Sequence, residues 1–174
     1  MKSEIDNLDN LYILTESNPQ KIYKISPQRN INVHFQGSNY NFFSDIAIDT
    51  AKNIYAPITN TGEILKILAN GSVNTNWAVT GRNPAAIAFD QDNNLYTANE
   101  YDRTVTKILP NGNAVQYGGR TGPSPNRIAI DNDNNVYTLN KVSLYRDSHE
   151  NTVTKISVSD CTIRDSPPSP SSDD

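Results

Sequence analysis

One motif returns along the whole chain. Ile46-Ala47-Ile48-Asp49 recurs as Ile87-Ala88-Phe89-Asp90 and as Ile128-Ala129-Ile130-Asp131, so the closing aspartates stand 41 residues apart, twice. Six residues after each comes a tyrosine in an apolar run: Asn53-Ile54-Tyr55, Asn94-Leu95-Tyr96 and Asn135-Val136-Tyr137. A Lys-Ile pair follows, at Lys66-Ile67, Lys107-Ile108 and Lys155-Ile156. A clipped first copy reads Ile5-Asp6, Asn10-Leu11-Tyr12 and Lys24-Ile25. A period near 40 residues demands a repeat architecture, in which each unit buries its faces against its neighbours.

Within a unit the periodicity belongs to strands. Apolar runs rich in Ile, Val, Tyr and Thr are separated by turn clusters, and no helical spacing is sustained. In the third repeat, strands are expected at 86–90, 95–98, 104–109 and 114–117. Asp92-Asn93-Asn94 and Pro110-Asn111-Gly112-Asn113 supply turns, because Asn, Asp and Gly tolerate the left-handed backbone of a tight hairpin. Four antiparallel strands in about 41 residues is the size of a β-propeller blade. The expected fold is therefore all-β, a propeller array of four blades at about 1–40, 41–81, 82–122 and 123–163. Only Ser3-Glu4-Ile5 stands where the innermost strand of the first blade belongs, so that blade is expected to be nearly missing a strand. The stretch 164–174 is almost wholly Pro, Ser and Asp and is expected to be a disordered tail or linker.

Composition excludes several classes. The hydrophobic fraction is 36%, and no apolar run approaches the roughly 20 residues of a membrane-spanning helix. The start carries no signal-peptide core. The single Cys161 gives no evidence for an oxidising compartment, so a soluble, cytoplasmic protein is the default expectation. Net charge is −4, of which the tail takes −2. The body thus lacks the basic footprint of a phosphate-backbone binder, and nucleic acid is disfavoured as a partner.

Pro84-x-x-Ile87-Ala88-Phe89-Asp90, then Asn94-Leu95-Tyr96-Thr97-Ala98, then Thr104-Val105-x-Lys107-Ile108-x-Pro110-x-Gly112 resembles the bacterial NHL-type repeat. It is also similar to the repeats of streptogramin lyase and gluconolactonase-like propellers. The second repeat departs from the pattern at Phe43 and at Pro57. The resemblance implies a rigid propeller scaffold whose functions range over enzymes, RNA binders and protein scaffolds. Four repeats are fewer than the similar families use, which implies either self-association or part of a longer propeller.

Candidate chemistry is sparse. Asp90-x-Asp92-x-Asn94 and Asp131-x-Asp133-x-Asn135 open like a calcium loop, but the sixth positions are Leu95 and Val136 and the twelfth are Tyr101 and Val142. Aspartates capping hairpins are the preferred reading. The tyrosine series reads as packing between blades, and the lysine series as stems covering apolar surface with heads in solvent. His34 is expected within a fourth strand. No nucleophile or zinc motif appears. The inner-strand ends offer Asp45, Ala86 and Arg127, which is not the carboxylate and amide ring that the resemblance implies for a metal-dependent lactonase.

The fourth repeat takes 18 residues from Tyr137 to Lys155 where the second and third take 11 from tyrosine to lysine. This insert emerges on the same face as the loops leading into the inner strands, and recognition usually sits on such loops. The expected function is accordingly a non-catalytic binding or scaffold module with no cofactor. Its face is expected to bear Asp45, Asn99, Glu100, Arg127, Tyr145, Arg146 and His149, and its partner to be a protein or peptide, with a glycan as the further candidate. The rival reading is a metal-dependent lactonase- or lyase-like propeller, which would call for Ca²⁺ or Mg²⁺.

Overall fold

The structure, a computed structural model, describes residues 1–38, 42–141 and 151–160. Four antiparallel sheets follow one another along the chain. Blade 1 holds β1 (Lys2–Ile5), β2 (Leu11–Leu14), β3 (Lys21–Ile25) and β4 (Ile31–Gln36). Blade 2 holds β5 (Ala47–Ile48), β6 (Ile54–Pro57), β7 (Glu63–Ile67) and β8 (Val73–Val79). Blade 3 holds β9 (Pro84–Phe89), β10 (Leu95–Asn99), β11 (Thr104–Ile108) and β12 (Ala114–Tyr117). Blade 4 holds β13 (Pro125–Ile130), β14 (Val136–Asn140) and β15 (Thr152–Ile156), three strands among the described residues. The first strand of each blade touches the first strand of the next, β1 to β5, β5 to β9 and β9 to β13, as in a radial array. The all-β propeller class read from the sequence is the fold of the chain.

Two edges differ from expectation. The inner strand of blade 1 is truncated rather than nearly missing: β1 has four residues where β9 and β13 have six, and it pairs along its length with β2 from Lys2↔Leu14 to Ile5↔Leu11. Blade 2 has the shortest inner strand, two residues, and the cause is Pro57. Ser44 donates to the Pro57 carbonyl, so the position where proline lacks its N–H also faces the inner strand. The ladder stops there and resumes only as the isolated bridge Phe43↔Ile58. The tail at 164–174 and most of the insert, 142–150, lie outside the described residues.

Each repeated aspartate builds the same turn. Asp6, Asp49, Asp90 and Asp131 each accept from the backbone N–H and the side-chain amide of the asparagine four residues on, and from the tyrosine hydroxyl six residues on. The residue before each asparagine takes a left-handed φ: 59° at Asp9, 68° at Lys52, 59° at Asn93 and 61° at Asn134. The carboxylates are thereby committed to the hairpins, as the turn reading expects. The repeated lysine has a partner that the sequence reading does not name. Its head lies over the ring of the same tyrosine, at 5.4, 5.0, 5.3 and 5.4 Å in blades 1 to 4. The quadrupole of the ring favours the cation there.

The core is three separate clusters, one between each pair of adjacent blades. Tyr12, Leu14 and Ile22 of blade 1 pack against Ile54 and Ile67 of blade 2. Tyr55 and Ile64 of blade 2 pack against Leu95 and Ile108 of blade 3, and Tyr96 and Val105 of blade 3 against Val136 and Ile156 of blade 4. Every joint is therefore the same contact, a tyrosine-bearing face against an aliphatic row. Each buried aliphatic side chain contributes on the order of 1.5–3 kcal/mol.

Candidate binding face

The inner strands begin at one end of the blades, and the loops between second and third strands project from that same end. Four residues ahead of each turn aspartate stand Lys2, Asp45, Ala86 and Arg127, one from each blade. Lys2 Nζ lies 3.3 Å from Asp45 Oδ2, and the Ile87 N–H donates to that same oxygen at 3.3 Å. Asp45 thus ties blades 1, 2 and 3 together. Arg127 is exposed and donates to the Asn126 carbonyl. Glu4 lies two residues along β1 from Lys2 and is solvent-exposed. Surrounding protein raises its carboxyl above the ordinary value, Asp45 adds to the rise, and Lys2 opposes it.

Blade 3 carries the most organised part of the face. Asn99, expected there as a contact residue, is fully buried. Its Oδ1 accepts from Thr80 at 2.9 Å and Thr97 at 3.0 Å, and its Nδ2 donates to Thr104 at 3.1 Å and Thr106 at 2.9 Å. Gly81 lies directly on this network; a Cβ there would stand 2.6 Å from Asn99 Nδ2, so only glycine fits. Its N–H donates to Thr106 Oγ1 at 3.4 Å.

The chain then rises into Arg82. The Arg82 N–H and Nε donate to the two carboxylate oxygens of Asp102 at 2.7 and 2.8 Å, and the guanidinium stacks 4.4 Å from the Tyr101 ring centroid. Asp102 raises the guanidinium pKa further above its ordinary value. Asn83 and Glu100 close the pair of loops: Glu100 N–H donates to the Asn83 carbonyl, and Asn83 Nδ2 donates to Glu100 Oε2, both at 2.9 Å. The loops are therefore fixed by backbone bonds, yet Arg82 is 73% exposed and Tyr101 68% exposed. Blade 4 repeats the network below its own loop, with Thr138, Asn140, Thr152, Thr154 and Gly122.

Of the residues expected on this face, Asp45, Glu100 and Arg127 lie at the inner-strand and loop end, Asn99 supports it from within, and Tyr145, Arg146 and His149 lie outside the described residues. Sequence reasoning missed Lys2, Arg82, Tyr101 and Asp102. A signal for the loop existed: Thr80-Gly81-x-x-Pro84 recurs as Thr121-Gly122-x-x-Pro125, and Thr97-x-Asn99 as Thr138-x-Asn140. A recess of about 90 Å³ opens between blades 1 and 2, lined by Met1, Lys2, Gln20, Phe43 and their neighbours. It is well below the roughly 300 Å³ of an ordinary small-molecule site. Among the described residues, no group of three or more His, Cys, Asp or Glu is placed to hold a metal.

No protein-family profile matches the chain, and no curated protein matches it. Solved structures do. Streptogramin B lyase is similar at 17% identity and a TM-score of 0.65, over 87% of this chain and 53% of that one. Virginiamycin B lyase from Staphylococcus aureus is similar at 12% identity and a TM-score of 0.63, over 87% and 54%. Regucalcin, a calcium-binding protein from Agrobacterium tumefaciens, is similar at 14% identity and a TM-score of 0.67, over 88% and 59%. The chain spans a little over half the length of these proteins. At such identities the likeness is one of fold, and it shows this chain to be built as β-propeller blades of the kind found in streptogramin lyase and regucalcin.

Proposed function

We propose that the chain is a non-catalytic binding module that presents the loop end of blade 3, with Asp45 and Arg127 beside it, to a protein or peptide. The observation that carries this reading is the Arg82–Tyr101 stack, held by Asp102 on loops already fixed by hydrogen bonds. Tyr and Arg are enriched at interface hot spots, and a pre-ordered aromatic loses little entropy on binding. Glu100 and Asp102 flank the stack, so a partner offering a cation beside an apolar side chain suits it. Arg127 is exposed and makes no ion pair among the described residues, which suits an acidic group nearby.

The rival reading, a lyase- or lactonase-like enzyme, draws on relatives whose names say lyase or calcium-binding. A divalent cation at the inner-strand ends would need several oxygen ligands. Among the described residues, the equivalent positions there are Lys2, Asp45, Ala86 and Arg127, two of them cationic, with Asp45 already engaged by Lys2 and the Ile87 N–H. This set does not fit a calcium site.

Panning a random peptide display library on the whole chain tests the proposal. Enriched peptides should bind the Arg82→Ala/Tyr101→Ala variant at least about 30-fold more weakly, about 2 kcal/mol. Equal binding to both proteins would remove the stack from the site. Lactone or streptogramin turnover that depends on added Ca²⁺ or Mg²⁺ would favour the rival.

A further inference from the structure

Three joints between blades use one contact, and the chain carries both halves of a fourth. In blades 2, 3 and 4 the aliphatic rows Ile54–Ile67, Leu95–Ile108 and Val136–Ile156 are buried against the tyrosine-bearing face of the preceding blade. Blade 1 has the equivalent row, Ile5–Leu11–Ile25–Ile31, aligned across all four strands by the pairings Ile5↔Leu11, Leu11↔Ile25 and Ile25↔Ile31. Nothing in the described chain covers it, and Ile5 and Ile31 are each 64% exposed. Blade 4 has the equivalent of the opposite face. Where Tyr96, Ala98 and Val105 of blade 3 are fully buried, Tyr137 is half-buried, Leu139 is 38% exposed and Val153 is 66% exposed.

We propose that these two open faces belong together across molecules, with blade 1 of one copy docking on blade 4 of a second copy. The internal joints show the kind of contact that such faces make, because the described chain makes it three times. The arrangement also closes. A head-to-tail contact forms a ring when its rotation closes, and two copies related by a twofold axis make two such contacts. Two copies supply eight blades, within the range of about four to eight known for propellers. The chain spans 53–59% of the similar propellers, so two copies provide the material of about one whole ring. This inference is independent of the binding role proposed for blade 3. Its occupant is a second copy of the chain, not an unrelated protein.

Light scattering on the full chain should give twice the 19.3 kDa chain mass. Ile31→Lys and Val153→Glu alter exposed residues and leave the cores intact, and each alone should raise the dimer Kd at least about tenfold. Mixing the two variants leaves one unaltered blade 4 to blade 1 contact, so the mixture should regain a heterodimer that neither forms alone. A wild-type monomer across the accessible concentration range would overturn the proposal. So would a dimer sensitive to only one of the two substitutions, which would mean that like faces pair.

Discussion

Blades 2 and 3 share a backbone plan and a turn, and fill the same interior space with opposite chemistry. Behind the tyrosine, blade 2 places Ala56, Ile58 and Leu65, all buried with Phe43 in an apolar cluster. Blade 3 places Thr97, Asn99 and Thr106 at the corresponding positions, joined into one hydrogen-bonded group with Thr80. An apolar filling needs only volume. The polar filling needs every partner, and two of its partners, Thr80 and Gly81, belong to the loop that carries Arg82. The difference teaches that a repeat can keep one frame for stability while its interior decides which loops are held in place.

Substitutions that exchange the two fillings should break this comparison most severely when done by halves. Asn99→Ile alone strands threonine hydroxyls that cannot reach water, and should cost about 3 kcal/mol in denaturant unfolding. Adding Thr97→Ala and Thr106→Leu completes the filling of blade 2. That triple variant should recover most of the loss, since replacing both partners of a buried bond by apolar groups is nearly neutral, and the partners that remain, Thr80, Gly81 and Thr104, are only partly buried. A triple variant as unstable as the single would show that the two fillings are not interchangeable.

A smaller effect probes the frame that both blades keep. Burial alone would raise the Asp6 carboxyl, but N–H donors from Asn10 and Leu8 and the Tyr12 hydroxyl outweigh it and hold the carboxyl below its ordinary value. Asp131 is lowered chiefly by the Asn135 side chain. A carboxyl depressed in the folded state lets the unfolded chain bind more protons over the interval between the two values. Stability from these turns is therefore full above the unfolded value of about 3.9, and is lost as pH falls through the lower folded value. Asp131→Asn should flatten the acid limb of a pH–stability curve, and an unchanged limb would assign acid sensitivity elsewhere.

The frame was legible in sequence because it repeats: Asp, Asn, Tyr and Lys stand at fixed spacing, and all four copies make the same bonds. The interiors were less legible. Asn99 follows an apolar strand and precedes Glu100-Tyr101-Asp102, so it reads as the first residue of an exposed loop, whereas four threonines hold it inside. Arg82 and Tyr101 lie 19 residues apart and meet only because Gly81 lets its loop settle on Asn99. The truncation of β5 followed from one missing N–H at Pro57, visible as an irregularity in sequence but not as a consequence. The open faces of blades 1 and 4 could be foreseen from the repeat count, but their residues could not be matched before the strand register was known.

Whether the buried network holds the Arg82 loop is tested most directly by amide hydrogen exchange at Gly81 and Arg82, whose N–H groups donate to Thr106 Oγ1 and Asp102 Oδ2. In the wild-type chain both should be protected although the loop lies at the surface. In Asn99→Ala both should exchange at least about tenfold faster under conditions where the variant stays folded, while Ile64 and Lys66 in blade 2 keep their protection. Unchanged exchange at Gly81 and Arg82 in that variant would contradict the account.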